Sequence, residues 1–215
     1  MRESTMTDNH LKTRFSLLRH APTVWNREKR IQGCQDSPLT TEGEELSRIW
    51  GQRLKAHKWD RILVSDLGRS LRTAELINTF LQIPVTSTYL LREMDWGDWT
   101  GKTYKQIKRE APGVLAEMEN TGWDFCPPGG ENRNAVWERS HRALREAAEK
   151  WPGVKILVIT HQGVIKCLVY RLCRRKFLPE EPPILYPNYL HGLICDRSGF
   201  RLKDINALAL SDSLE

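Results

Sequence analysis

Two histidines in this chain close apolar runs: residues 15–18 end in Arg19-His20, and His161 follows residues 154–160 at once. A lone histidine in such a place is more often a cap or a core residue than a catalyst. Here each has company of a particular kind. Arg19 precedes His20, and Ser65 ends a third apolar run, Ile62-Leu63-Val64, with Arg69 one helical turn further on. Arg92-Glu93 follows a fourth short run. These types suit work on a phosphate. Guanidinium binds tetrahedral oxygens in bidentate fashion and stays charged at all relevant pH. The pair Arg19 and Arg69 would neutralise the dianion and the equatorial oxygens of its transition state. A neutral imidazole is a competent nucleophile near pH 7. A second imidazole, if protonated, adds a donor. A carboxylic acid such as Glu93 protonates the leaving oxygen and then takes a proton from water.

Such groups act together only if the chain delivers them to one place. Residues 15–18 read as a first strand, 62–64 as a second, and 83–86 as the start of an edge strand, since Pro84 cannot donate to a ladder. Residues 154–160 are nearly all apolar, as a strand buried on both faces would be. Helices are expected over 41–57, with Leu46, Ile49, Trp50 and Leu54 on one face, over 69–81, over 132–150 and over 164–172. One or two short helices surround Pro112-Gly113 within 104–118, between loops at 96–101 and 126–131. Two late strands, 190–196 and 200–206, follow. Strands alternating with helices predict an α/β domain with a mostly parallel sheet. Ligands of such sheets sit beyond the carboxyl ends of the strands, where these five groups fall.

The 215 residues allow one domain with a sizeable core, and 40% hydrophobic with 28% charged residues is an ordinary globular balance. Nothing approaches the run of about 20 apolar residues that a membrane span needs. Residues 1–14 are polar, lack the apolar segment of a secretory signal and are expected to be a disordered extension, leaving 15–210 as a single domain. The five cysteines, Cys34, Cys126, Cys167, Cys173 and Cys195, form no Cys-x-x-Cys pair. Neither a disulfide framework nor a zinc knuckle is signalled, which fits a reducing cytoplasm. The net charge of +6 suits an anionic partner. The basic run at 171–176 closes an apolar helix-like segment and reads as a solvated helix end, so no nucleic-acid partner is expected.

Several segments together resemble the histidine phosphatase superfamily, the group that includes cofactor-dependent phosphoglycerate mutase. They are Arg19-His20-Ala-Pro-Thr23-Val-Trp-Asn26, then Ile31-Gln32-Gly33 with Pro38-Leu39-Thr40-x-x-Gly43, and Ser65-Asp66-Leu67-x-Arg69-x-x-x-Thr73-Ala74. Leu91-Arg92-Glu93 with Gly97-Asp98-Trp99-x-Gly101, Pro128-Gly129-Gly130-Glu131 and Val158-Ile159-Thr160-His161-Gln162-Gly163 complete the set. The resemblance implies a three-layer α/β/α sandwich around a mostly parallel sheet. It implies that His20 is the nucleophile and becomes a phosphohistidine, that Arg19 and Arg69 clamp the phosphate, and that His161 stabilises the transferring group. Glu93 would be the general acid and then the base. Thr23, Asn26 and the backbone at Gln162 would bond phosphate oxygens, with Gln32 and Gly33 lining the pocket. No metal or other cofactor is needed in such relatives.

In two places the chain departs from that pattern. Ala21 replaces the family's usual glycine after the nucleophile, and alanine tolerates positive φ poorly. Gln162 replaces the glycine after the second histidine. Glu131 complements a helix dipole or reaches the pocket, and Asp95 or Asp98 could stand in for Glu93. His141 and His191 read as structural, while Trp96 and Trp99 either wall the pocket or pack.

The expected activity is a metal-independent phosphomonoesterase acting on a small phosphorylated metabolite. A phosphoglycerate mutase shares the first half-reaction. It must keep its phosphohistidine from water, and mutases of this family carry a longer insertion before the second histidine and a closing C-terminal tail. A metal-dependent phosphatase would need ligands at tight local spacing, which the chain lacks. A phosphate- or nucleic-acid-binding module would need neither a nucleophile nor a proton donor.

Overall fold

The structure, a computed structural model, describes residues 12–210. Its centre is a six-stranded sheet in the order β3-β2-β4-β1-β5-β6. The strands are β1 (Thr13–Arg19), β2 (Arg61–Ser65), β3 (Val85–Thr88), β4 (Lys155–Thr160), β5 (Tyr189–Asp196) and β6 (Gly199–Ala209). The first four run parallel, and β5 and β6 add an antiparallel margin beside β1. Residues 1–11 of the expected extension lie outside the described residues. Thr13 and Arg14 already belong to β1, paired with Cys195 and Lys155, so the strand starts before residue 15.

The helices are α1 (Val24–Arg27), α2 (Thr41–Leu54), α3 (Gly68–Leu81), α4 (Tyr104–Glu110), α5 (Val114–Glu119), α6 (Arg133–Lys150) and α7 (Gln162–Leu172). Their starts are written in side chains. Thr40 accepts from the Gly43 amide at 3.0 Å to cap α2, and Asn132 accepts from Ala135 at 2.7 Å to cap α6. α2 stops at Leu54 rather than at 57, where the chain tightens into a turn, and the Leu54 carbonyl accepts from the His57 amide at 3.0 Å and from the Trp59 indole N–H at 2.9 Å.

The alternation of the strands decides the layering. Ile156 and Val158 of β4 join Phe15, Leu17 and Leu63 in one core, closed by Val136 and Leu144 of α6 and Ile165 and Leu168 of α7. Leu157 and Ile159 join Leu18, Ile62 and Val64 in the other, closed by Trp50 and Leu54 of α2 and Ala74 and Ile77 of α3. The result is an α/β/α sandwich. Each buried leucine or isoleucine stabilises it by roughly 1.5–3 kcal/mol. β4 sits between β2 and β1 and is buried on both faces, as its composition required. Among the described residues no helix is long and apolar enough to cross a membrane.

Candidate active site

The carboxyl ends of β1, β2 and β4 lie side by side, so their last residues and the turns beyond them share one edge. Arg19 of β1 is in register with Thr160 of β4, and the His20 amide donates to the Thr160 carbonyl at 2.9 Å. That bond seats the two histidines together, with ring centroids 5.1 Å apart. Only His161 stands between β4 and α7. The helix begins at Gln162, two residues earlier than the apolar pattern predicted, and His161 is the residue that caps it.

The two rings have different surroundings. His20 Nδ1 lies 2.7 Å from the Ala21 carbonyl. A carbonyl only accepts, so Nδ1 carries the proton and Nε2 keeps its lone pair. His20 borders a cavity of about 420 Å³, whereas His161 is fully buried behind it and is not part of the cavity wall. Ser65 Oγ lies 2.8 Å and Ser70 Oγ 3.3 Å from His161 Nε2. With a serine hydroxyl donating to Nε2, a neutral His161 carries its proton on Nδ1, which has no acceptor among the described residues. Burial, reinforced by Arg19 and Arg69, holds His20 well below the usual histidine range. Burial, with His20 and Arg69 adding to it, does the same for His161. His161 therefore offers a donor without being protonated twice.

Both expected arginines line the cavity. Arg69 is held from behind: Nη1 donates to the Gln35 carbonyl at 2.6 Å and to Asp36 at 3.0 Å, and Nη2 donates to the Gly33 carbonyl at 2.8 Å. Asp36 also accepts from the Gly68 amide at the start of α3. Arg69 Nε and Arg19 Nε have no acceptor among the described residues. Burial pulls both guanidinium groups below their ordinary range, partly offset by the nearby Glu93 carboxylate.

Glu93 also lines the cavity. Its Oε1 accepts from the Met94 amide at 2.8 Å and its Oε2 from the Gly163 amide at 3.1 Å. A Cβ on residue 163 would fall on Oε1, so only glycine lets the carboxylate sit there. The backbone of this segment is clamped by Arg139, which donates to the carbonyls of Leu90 at 2.9 Å, Arg92 at 2.7 Å and Glu93 at 3.1 Å. Glu131 holds that guanidinium in a bidentate pair at 2.7 and 2.8 Å. Glu131 thus works outside the cavity, through Arg139. Arg92 turns away to a bidentate pair with Asp66 at 2.8 and 2.7 Å.

Of the remaining expected residues, Asn26, Gln32, Gly33 and Gln162 line the cavity. Thr23 does not: it is fully buried, and its hydroxyl caps α1, donating to Asn26 Oδ1 at 3.1 Å. Its part in the site is to aim Asn26. Ala21 is not among the residues with positive φ, so alanine fits there without strain, its amide donating to Thr73 at 3.1 Å. Trp96 walls the cavity, and Trp99 packs in the core. Asp95 accepts from the Gly97 amide at 2.9 Å, and neither it nor Asp98 lines the cavity. His141 stacks on Trp137 at 4.7 Å, and His191 accepts from the Asn206 amide at 3.2 Å. Among the described residues no cluster of three potential metal ligands occurs.

Sequence reasoning missed the serines on His161, the Arg139 clamp and much of the outer wall, which includes Tyr104, Arg133, Lys166 and Phe177. Lys166 had a signal. It stands four residues after Gln162 on α7, hence on the same face. Arg133 and Phe177 had none.

Residues 15–207 match the histidine phosphatase superfamily (branch 1). A Salmonella typhi protein named "Probable phosphoglycerate mutase GpmB" is 37% identical over 153 residues, spanning 71% of this chain and 71% of that protein. YhfR of Bacillus stearothermophilus superposes with a TM-score of 0.84 at 31% identity, covering 92% of this chain and 98% of that one. A mycobacterial glucosyl-3-phosphoglycerate phosphatase superposes with a TM-score of 0.78 at 26% identity, covering 92% of this chain and 100% of that one.

Proposed function

The chain belongs to the histidine phosphatase superfamily, and from that premise we propose that it is a metal-independent phosphomonoesterase acting through a phosphohistidine on a small phosphorylated metabolite. One observation carries the reading. The Ala21 carbonyl ties the proton of His20 to Nδ1 and leaves Nε2 as a lone pair at the edge of a cationic cavity.

In the first step His20 Nε2 attacks phosphorus. The P–N bond forms as the ester P–O bond breaks, and Glu93, as the carboxylic acid, gives its proton to the leaving oxygen. Arg19 and Arg69 hold the equatorial oxygens, whose charge is greatest in the transition state, and the buried Nδ1–H of His161, without an acceptor among the described residues behind His20, donates to the transferring group once phosphate sits against the two rings. Asn26 and the Gln162 amide add donors. In the second step the Glu93 carboxylate takes a proton from water. That water attacks phosphorus, the P–N bond breaks, and phosphate leaves.

A mutase would run the same first step and pass the phosphoryl group to a second hydroxyl. The name of the Salmonella relative favours that reading, and the name of the mycobacterial one favours hydrolysis. Two short helices, α4 and α5, take up the interval between Glu93 and α6, without the longer insertion expected of a mutase. The free cysteines suit work in a reducing cytoplasm.

The test is release of inorganic phosphate from p-nitrophenyl phosphate in EDTA, with His20→Ala as the blank. Enzyme trapped in mid-cycle with labelled substrate under alkaline denaturing conditions should carry its label on the His20 peptide. No release from pure protein, or a label elsewhere, rejects the proposal. Transfer to a phosphoglycerate acceptor in preference to water selects the mutase.

A further inference from the structure

Two cavities meet at one aromatic side chain. The catalytic cavity adjoins a recess of about 190 Å³, and Phe177 borders both, together with Arg133 and Lys166. The Phe177 ring stands 4.8 Å from Tyr170 and edge-on to Trp123 at 5.2 Å, with the Arg133 guanidinium 4.0 Å from its centroid. Its backbone has a φ of +64°, a left-handed conformation that bulky side chains avoid. The surroundings impose it. The Glu181 carboxylate accepts from the amides on either side, Lys176 at 3.1 Å and Leu178 at 3.2 Å, and Arg133 Nη1 donates to the Phe177 carbonyl at 3.1 Å. The Lys176 carbonyl is seated on Gly122, where a Cβ would come within 2.5 Å of it. An outlier of this kind persists only where its surroundings over-determine it, and it points to function. Glycine would make the same turn without strain. What glycine could not supply is the ring.

We propose that Phe177 is a specificity-determining residue: its ring shuts the recess off from the catalytic cavity and so sets the longest leaving group that is buried whole. The inference rests on the phosphatase reading for which end of the ligand is the phosphate. It deepens that reading by naming the class of substrate, a phosphomonoester with a compact leaving group. The chemistry of the recess does not by itself keep a longer group out. Tyr170, Leu178, Pro179 and Pro183 offer it apolar surface, and Glu119 and Glu181 border it too, so a neutral chain suits it better than an anionic one. Only the ring stands between. Packed against Tyr170, Trp123 and Arg133 on a pinned backbone, the ring does not swing aside as a free side chain would, so the limit is a fixed one. Without it the recess of about 190 Å³ would open onto the cavity of about 420 Å³, and apolar contact there would add affinity in proportion to the area covered.

Linear alkylphosphonates of one to eight carbons test this without turnover, because their C–P bond is not hydrolysed. Dissociation constants are measured by calorimetry, and each protein is read against its own methylphosphonate value. In the wild type each methylene that the cavity covers should tighten binding by roughly three- to fourfold, and the gain should stop at one length. In Phe177→Ala and Phe177→Gly the gain should run on for at least two further carbons, to a tenfold or greater advantage over the length at which the wild type stops. Phe177→Gly removes the backbone strain along with the ring, so it carries the test if the alanine variant does not fold. A gain that stops at the same length in the wild type and the variants overturns the inference, as does a wild type whose affinity rises along the whole series. Failure of every alkylphosphonate to bind overturns it as well. Hydrolysis of p-nitrophenyl phosphate in EDTA by the wild type is scored separately, so a failed partition and a failed phosphatase give different results.

Discussion

At the scale of single residues the site rests on which form each ionisable group takes. His20 and His161 are both buried among cations, and burial is the larger cause of their depression. In the ligand-free protein neither imidazole should titrate near 6.5, the value of a free histidine. Proton NMR of the two rings checks this, and a midpoint at or above 6.5 for either ring would be incompatible with the site described. Glu93 has a different signature. Its proton matters only when the leaving oxygen is a poor leaving group, as an alkoxide is. In Glu93→Gln, kcat/KM for an alkyl phosphate should fall by about a hundredfold or more, within the range of general acid catalysis. The fall for p-nitrophenyl phosphate should be much smaller. Equal losses on both substrates would show that Glu93 does not serve as the acid.

At the scale of elements, the start of α7 and the segment before α4 are built around each other. Gly163 donates its amide to Glu93, and nothing larger than hydrogen fits on its α-carbon. Gly163→Ala should displace the carboxylate while leaving the sheet intact. The expected result is a loss of activity on alkyl phosphates approaching that of Glu93→Gln, with a melting temperature changed by a few degrees at most. Collapse of the fold with the activity would instead make Gly163 a packing residue only. The Glu131–Arg139 pair acts on the same segment from the other side, gathering three carbonyls between Leu90 and Glu93. A guanidinium that is half-buried and bidentate holds geometry in a way that a lysine would not.

For the molecule as a whole, four histidines are held below their ordinary range: His20, His141, His161 and His191, the last at about 4. In each the unfolded chain binds a proton more readily than the folded one. Stability therefore falls as pH drops below about 6.5, down to the folded value of each group. For His191 the loss amounts to about 3 kcal/mol by pH 4. The surface carboxylates Glu42, Glu44 and Glu110, lowered by their hydrogen bonds, lose their contributions only below about 4.5, so the slope between pH 6.5 and 5 belongs to the histidines. Urea unfolding across that range should show it. His191→Gln, which keeps an acceptor for the Asn206 amide, should flatten it, and a stability independent of pH there would contradict the burial of these rings.

The order of the elements, the doubly buried β4 and the gathering of Arg19, His20, Arg69, Glu93 and His161 at one sheet edge were legible in the chain. Hydrophobic period and strand-end position are local properties, and they survive folding unchanged. What lay beyond that depended on how distant segments meet. Thr23 and Asn26 look alike as donors, yet a cap turns one inward and leaves the other in the cavity. His161 stands behind His20 because β4 pairs with β1 in one register and not another. Lys166, Arg133 and Phe177 share a wall because α6, α7 and the loop after α7 pack together. No pattern within any one segment records a contact made by three. The residues of the proposed chemistry were therefore written in short motifs, and the shape and charge of the cavity around them arose only on packing.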